Sequence, residues 1–178
     1  SQYFVPTLTA ISLAGDRAGG RLGPLLASRM PLNAILIGKL MAPALPFGLL
    51  LLGGAILLGP PAVIGGAISA ETVLYVVVLA LPWLFVTGMV GLRVGASARH
   101  TTAAVGGSLV IVLLVLPGLH GTMYYLVLLQ LLRPVIEASR TQQAWWQLAA
   151  VATHVVFSGL IFAALWFSTK RALARAAE

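Results

Sequence analysis

Apolar runs separated by short polar stretches dominate the chain. Four such runs cover residues 35–58, 71–92, 103–119 and 145–169. A helix needs about 20 mainly apolar residues to cross the hydrocarbon core of a bilayer. Three of the runs reach that length and the run at 103–119 is shorter. The pattern predicts four membrane-spanning helices at these positions.

The apolar pattern is already present at the first residues. Residues 1–15 carry no charge, and the first charged residue is Asp16. A segment of this length is too short for a complete crossing. It also lacks the basic start and small-residue cleavage site of a signal peptide. We expect residues 1–15 to be the end of one span whose first part is missing.

Residues 16–34 are the most polar stretch of the sequence. Within it, Leu22, Leu25 and Leu26 recur at positions i, i+3 and i+4. This spacing is typical of a short helix with one apolar face, and Pro31 marks its end. We expect a cytoplasmic loop that contains a short helix.

Residues 120–144 have a mixed pattern. An apolar stretch from Tyr124 to Leu132 is followed by Arg133, Glu137 and Arg140. A run of about nine apolar residues is too short to cross a bilayer. The pattern therefore predicts an external re-entrant or interfacial helical hairpin.

These segments together predict an all-α fold. We expect a polytopic transmembrane helical bundle with about five to six membrane segments. The short cytoplasmic helix and the external hairpin belong to the same unit, and residues 1–178 form a single transmembrane domain.

The composition supports a membrane location. Hydrophobic residues make up 60% of the chain, charged residues 8%, and the mean hydropathy is +1.00. Soluble domains carry roughly a quarter charged residues, so lipid is the solvent that fits. The net charge of +7 comes from residues between the apolar runs. This placement indicates contact with an anionic membrane leaflet rather than with nucleic acid.

The basic residues also predict the orientation. If residues 16–39 are cytoplasmic, all but Arg133 and Arg140 of the eleven lysine and arginine residues lie on the cytoplasmic side. Basic residues favour that side of a membrane. We therefore expect a multi-pass protein with a cytoplasmic C-terminus.

No arrangement of residues indicates catalysis or a cofactor. Gly38-Lys39 is not a phosphate-binding loop, because Asn33 and Leu40 occupy the positions that require glycine and serine or threonine. The three histidines lack metal-ligand spacing, and the chain has no cysteine. We expect neither an enzyme nor a metal or cofactor site in this chain.

Three polar residues are candidates for a substrate path or gate. They are His154, within the last span, and Arg133 and Glu137, which are spaced i, i+4. Ionisable residues inside a membrane are often functional. The alternatives are a neutral His154 bound to a neighbouring helix and a pair that lets the hairpin tolerate its polar groups. Likewise, Gly88, Gly91 and Gly95 indicate close helix packing, either within the chain or in a dimer.

The polar loop resembles the signature of the type-2 ABC exporter permeases. In that family an acidic-basic-acidic run precedes a glycine, a leucine-rich stretch with a serine and a Pro-Leu pair, and a Gly-Lys pair that opens the next span. The matching residues here are Asp16-Arg17, Gly19 or Gly20, Leu25-Leu26-Ala27-Ser28, Pro31-Leu32 and Gly38-Lys39. The sequence departs from the pattern at Ala18, at Arg21-Leu22-Gly23 and at Arg29-Met30.

The resemblance implies a function for the whole chain. It implies a permease subunit of an ATP-driven exporter in a bacterial inner membrane, which moves an amphiphilic substrate by alternating access. A separate ABC ATPase subunit would bind ATP and magnesium, and a second permease copy would complete a homodimer or heterodimer. The residues that would couple the loop to the ATPase are Asp16, Arg17, Arg21, Leu22, Leu25 and Leu26. The alternative is a non-transporting accessory subunit of a larger membrane complex.

Overall fold

The computed structural model describes residues 3–67, 70–116 and 143–177, and its regular elements are helices. We number the α-helices in chain order. They are α1 (Phe4–Ala18), α2 (Leu22–Ala27), α3 (Leu32–Ile64), α4 (Ala70–Ser97), α5 (Thr101–Val110) and α6 (Gln143–Ala177). A π-helical turn, Ile111–Val115, continues α5. The all-α class predicted from the sequence is confirmed.

Three helices in the described ranges are long and apolar enough to cross a membrane. They are Leu32–Ile64, Val77–Ser97 and Val151–Arg175. The predicted span at 103–119 corresponds to a shorter apolar helix, Thr101–Val115. Most of the predicted external hairpin, together with Arg133 and Glu137, lies outside the described residues. Its last two residues, 143 and 144, are the first of α6.

Helix α4 is the centre of the bundle and packs against α1, α3, α5 and α6. Its side chains from Leu84 to Leu92 are mostly buried. Among them, Val86 and Val90 pack against Val112 and Leu116 at the end of α5. In contrast, the second half of α3 exposes large apolar side chains, which lipid can cover. They include Leu49, Leu50, Ile56, Leu57, Leu58 and Ile64.

The contacts along α4 give the directions of its neighbours. Helix α1 is parallel to α4, because Val5 lies against Gly88 and Leu13 against Gly95. Helix α3 is antiparallel, because Gly48 lies against Leu84 while the later Gly59 lies against the earlier Val73. Helix α5 is antiparallel in the same way, since Gly107 contacts Val94 and Leu116 packs with Val86 and Val90.

Helices α4 and α6 are parallel and keep a constant register. His154 contacts Leu79 O and Arg93 contacts Ser168, and each pair is separated by 75 residues in sequence. The contacts are 14 residues apart on both helices, or about 21 Å at 1.5 Å per residue. The chain must therefore return along the bundle between α4 and α6, and α5 provides the first part of that return.

Glycines in the left-handed conformation end α1 and α3. Gly20 has φ 67° and Gly66 has φ 72°. Each is followed by a backbone N–H that bonds back five residues, from Arg21 to Asp16 O and from Ala67 to Ala62 O. This is the Schellman type of helix end, which favours glycine because a side chain is strained there.

The end of α3 differs from the sequence prediction. The span was expected to stop before Gly59-Pro60-Pro61, but the helix continues through both prolines to Ile64. Proline removes a helical hydrogen bond while its fixed φ stays compatible with a helix, and transmembrane helices tolerate it where neighbouring groups or water satisfy the freed carbonyl. Gly66 supplies the conformation that ends the helix.

Candidate coupling surface at the basic end

One end of the bundle carries all the lysine and arginine residues of the described ranges. It is formed by the C-termini of α1, α4 and α6, the N-termini of α3 and α5, and helix α2. We call it the basic end. Its cationic residues are Arg17, Arg21, Arg29, Lys39, Arg93, Arg99, Lys170, Arg171 and Arg175. Within the described ranges Asp16 is the one acidic residue there.

An ion pair between Asp16 and Lys39 joins α1 to α3 at this end. Lys39 Nζ contacts Asp16 Oδ2 and also donates to Ser12 Oγ at 3.0 Å. The two charged side chains are only 20% and 15% exposed. Asp16 lies in the last turn of α1, where the helix dipole disfavours a negative charge, whereas Lys39 lies two turns into α3. The pair therefore stabilises the contact between the helices and not the separate helices.

Arg21 is a second cation beside Asp16. Its Nε lies 3.7 Å from Asp16 Oδ1, and its side chain is 75% exposed. An exposed ion pair at this distance contributes little stability. Asp16 therefore has one close partner, Lys39, and one loose partner, Arg21.

Arg17 is half-buried and forms a hydrogen bond within the chain. Its guanidinium donates to Ala98 O at 3.4 Å, and Ala98 directly follows the last residue of α4. This contact connects the end of α1 to the turn between α4 and α5. Of the charged residues expected to frame a partner contact, Asp16 and Arg17 make contacts within the chain and Arg21 remains exposed.

The three leucines of α2 are buried or half-buried, with Leu22 buried and Leu25 and Leu26 half-buried. Leu22 is buried in a cluster with residues of four other helices, and Leu26 packs against that cluster. The cluster residues are Leu13 of α1, Leu36 and Leu40 of α3, Met89, Leu92 and Ala96 of α4 and Leu173 of α6. Gly23, Pro24 and Ala27 form the exposed side. Helix α2 therefore closes the basic end, with one face on the bundle and the other outward.

His154 lies between α6 and α4 and is 7% exposed. Its Nε2 is 3.1 Å from Leu79 O, and because a carbonyl only accepts, Nε2 carries the hydrogen. Pro82, three residues after Leu79, lacks the helical N–H that would bond Val78 O in the same turn of α4. Of the two alternatives raised for His154, the hydrogen bond to a neighbouring helix is present.

We expect His154→Leu to lower stability by about 1 kcal/mol, because it removes the hydrogen bond between α6 and Leu79 O of α4. His154→Gln keeps an N–H donor and should lose less. Thermal unfolding in mild detergent, followed by circular dichroism, measures both. His100→Leu, at an exposed position, is the control. Equal midpoints for His154→Leu and the unchanged protein would contradict a role for this bond.

One polar contact between α4 and α6 and one buried hydroxyl of α6 were not predicted from the sequence. Arg93 Nε donates to Ser168 Oγ at 2.6 Å, and Arg93 also contacts Ser97 Oγ. Ser158 Oγ is buried without a hydrogen-bond partner among the described residues. The i, i+4 spacing of Arg93 and Ser97 was visible in the sequence, but the pairing with α6 depends on the fold.

The described residues contain no group of histidine, cysteine, aspartate or glutamate side chains that could hold a metal ion. Comparison of the chain with protein-family models, with curated proteins and with solved structures finds no match.

Proposed function

We propose that this chain is a membrane-spanning permease subunit of an ATP-driven exporter, with α2 as the contact for a separate ATPase subunit. The observation that carries the proposal is the position of α2, which lies across the basic end with its exposed side outward. A short helix in this position can transmit a movement of a bound partner to the several helices on which it packs. The loop motif described above supports the same assignment.

The packing of α2 argues against a helix that only lies on the membrane surface. Such a helix buries its apolar face among lipid headgroups. In α2 that face is occupied, because Leu22 and Leu26 pack on the bundle. The outward side consists of Gly23, Pro24 and Ala27, which offer little apolar area to lipid.

The positive-inside rule places the basic end in the cytoplasm, which puts the C-terminus there too. A cytoplasmic α2 can meet an ATPase subunit. The predominantly apolar helices fit an amphiphilic substrate, and a second permease copy would supply the other wall of the path. A bacterial inner membrane is the location that this assignment implies.

A non-transporting accessory subunit is the second candidate. The observation that favours it is the internal pairing of Asp16 with Lys39 and of Arg17 with Ala98 O. Asp16 and Arg17, which were expected to contact an ATPase subunit, instead form contacts within the chain. Such a subunit would bind a neighbour other than an ATPase.

Purification of the protein in mild detergent, followed by mass spectrometry, separates the two candidates. We expect a stoichiometric ATPase subunit, lost at least tenfold in Ala27→Asp, which places a charge on the exposed side of α2. Ala103→Asp makes the same change at an exposed position of α5 and is the control. A stable complex with no ATPase subunit would refute the exporter proposal and favour the accessory role.

A further inference from the structure

The pairing of Asp16 leaves Arg21 available to a partner. The Asp16 carboxylate is in contact with Lys39, and both side chains are mostly buried. Arg21 approaches the same carboxylate only to 3.7 Å from the solvent side. A partly buried ion pair is screened less than an exposed one. Asp16 therefore keeps a counter-charge when Arg21 turns away.

Arginine is suited to a new partner in this position. Its guanidinium presents several N–H donors in a planar fork, which matches a carboxylate through two parallel hydrogen bonds. The 75% exposure of Arg21 leaves most of its side chain accessible from outside. Its present contact is therefore weaker than the contact that a well-placed external carboxylate would make.

The surroundings of Arg21 favour an acidic protein surface over lipid. Helix α2 closes the end of the bundle, whereas lipid headgroups surround the sides. The exposed cations at this end include Arg29, Arg99 and Arg171, and Met30, next to Arg29 in the sequence, is 55% exposed. A surface of this kind complements carboxylates around a small apolar contact.

We infer that Arg21 moves from Asp16 to a carboxylate on a partner protein, and that the surface docking on α2 is acidic. Lys39 remains with Asp16 and holds α1 to α3 while Arg21 is engaged. The inference rests on the proposed function for the identity of the partner as an ATPase subunit, but the acidic contact itself can be tested separately.

A zero-length carbodiimide cross-link tests the exchange, because this reagent joins an amine to a carboxylate only when the two are in contact. Arg21→Lys places a reactive amine at this position in the full-length protein. The reaction is run in native membranes, and cross-linked peptides are identified by mass spectrometry. We expect the new amine to be joined to an aspartate or glutamate of a second protein.

Each outcome decides the inference. A link to an acidic residue of an ATPase subunit supports both proposals. A link to an acidic residue of another kind of protein supports the acidic contact and refutes the exporter assignment. A link only to Asp16, or no link to another protein, overturns the inference. An ATPase subunit that still co-purifies in that case leaves the proposed function intact.

Charge reversal provides a second measurement. Arg21→Glu should reduce retention of the partner at least tenfold, and retention in the unchanged protein should fall between 50 and 500 mM salt, on the order expected for exposed charges. Arg175→Glu makes the same charge change on the last turn of α6, without altering the pairing of Asp16, and should reduce retention much less than Arg21→Glu. Equal retention in both variants, with no salt dependence, would overturn the inference.

Discussion

Gly91→Ala should be among the most destabilising single-methyl changes in the protein, lowering the free energy of unfolding by about 2–3 kcal/mol. A Cβ at Gly91 would overlap Thr9 Oγ1 and the backbone carbonyl of Pro6. Backbone atoms cannot rotate away, so α1 and α4 would have to separate. The gain of about 1 kcal/mol from replacing a helical glycine by alanine is too small to compensate.

The separation would also break a hydrogen bond. Thr9 Oγ1 lies 3.0 Å from Gly88 O, across the contact between α1 and α4. Neighbouring Gly95 is equally restricted, since a Cβ there would lie 2.7 Å from Ala10 O. A cooperative loss of this contact is therefore expected, and thermal unfolding in mild detergent measures it.

Gly106→Ala is the matched control. A Cβ at Gly106, in α5, meets nothing within 4 Å, so this change should leave the unfolding midpoint unchanged or raise it slightly through helix propensity. If Gly91→Ala were as stable as Gly106→Ala, α1 and α4 would not be in the contact described.

Asp16→Asn should destabilise the protein more than Lys39→Met. Asp16→Asn leaves the mostly buried Lys39 cation with neutral acceptors only, Ser12 and the new amide oxygen, and losing the counter-charge should cost about 2 kcal/mol. Removing the lysine leaves Asp16 beside Arg21, so this loss should be about 1 kcal/mol. The unfolding free energies of the two variants measure the difference.

Combined variants test whether Arg21 compensates. Lys39→Met together with Arg21→Gln should cost more than the sum of the separate changes, because Asp16 then loses both cations. Asp16→Asn together with Lys39→Met should cost less than the sum, because no unpaired charge remains. Additive effects in both pairs would show that the three charges act independently.

The apolar pattern predicted the helical class and the regions of the three long apolar helices, because lipid requires long apolar helices. The leucine spacing of Leu22, Leu25 and Leu26 predicted a short helix, and α2 lies there. The pattern did not show that Leu22 faces the core, since one apolar face fits a bundle, a partner or a membrane. That choice depends on the four helices that meet at α2.

Other features depend on contacts between distant residues. Gly88, Gly91 and Gly95 indicated close packing, but the neighbour, α1, is about 80 residues away in sequence. Lys39 likewise pairs with Asp16, which is 23 residues earlier in the sequence. The sequence contained an indication of this ion pair, because Asp16 is the sole acidic residue before Glu71 and so the only carboxylate near Lys39 in sequence. The coupling role of Asp16, Arg17, Arg21, Leu22, Leu25 and Leu26 stays a prediction.

The glycine contact between α1 and α4 restricts how the bundle can change shape. Two helices whose backbones touch cannot slide past each other without a collision at Gly91 and Gly95, so they act as one mechanical unit. The second half of α3 exposes most of its large apolar side chains and can therefore bend or tilt with less resistance than α1 or α4. If the proposed transport function holds, we expect α3 to move relative to a fixed unit formed by α1 and α4.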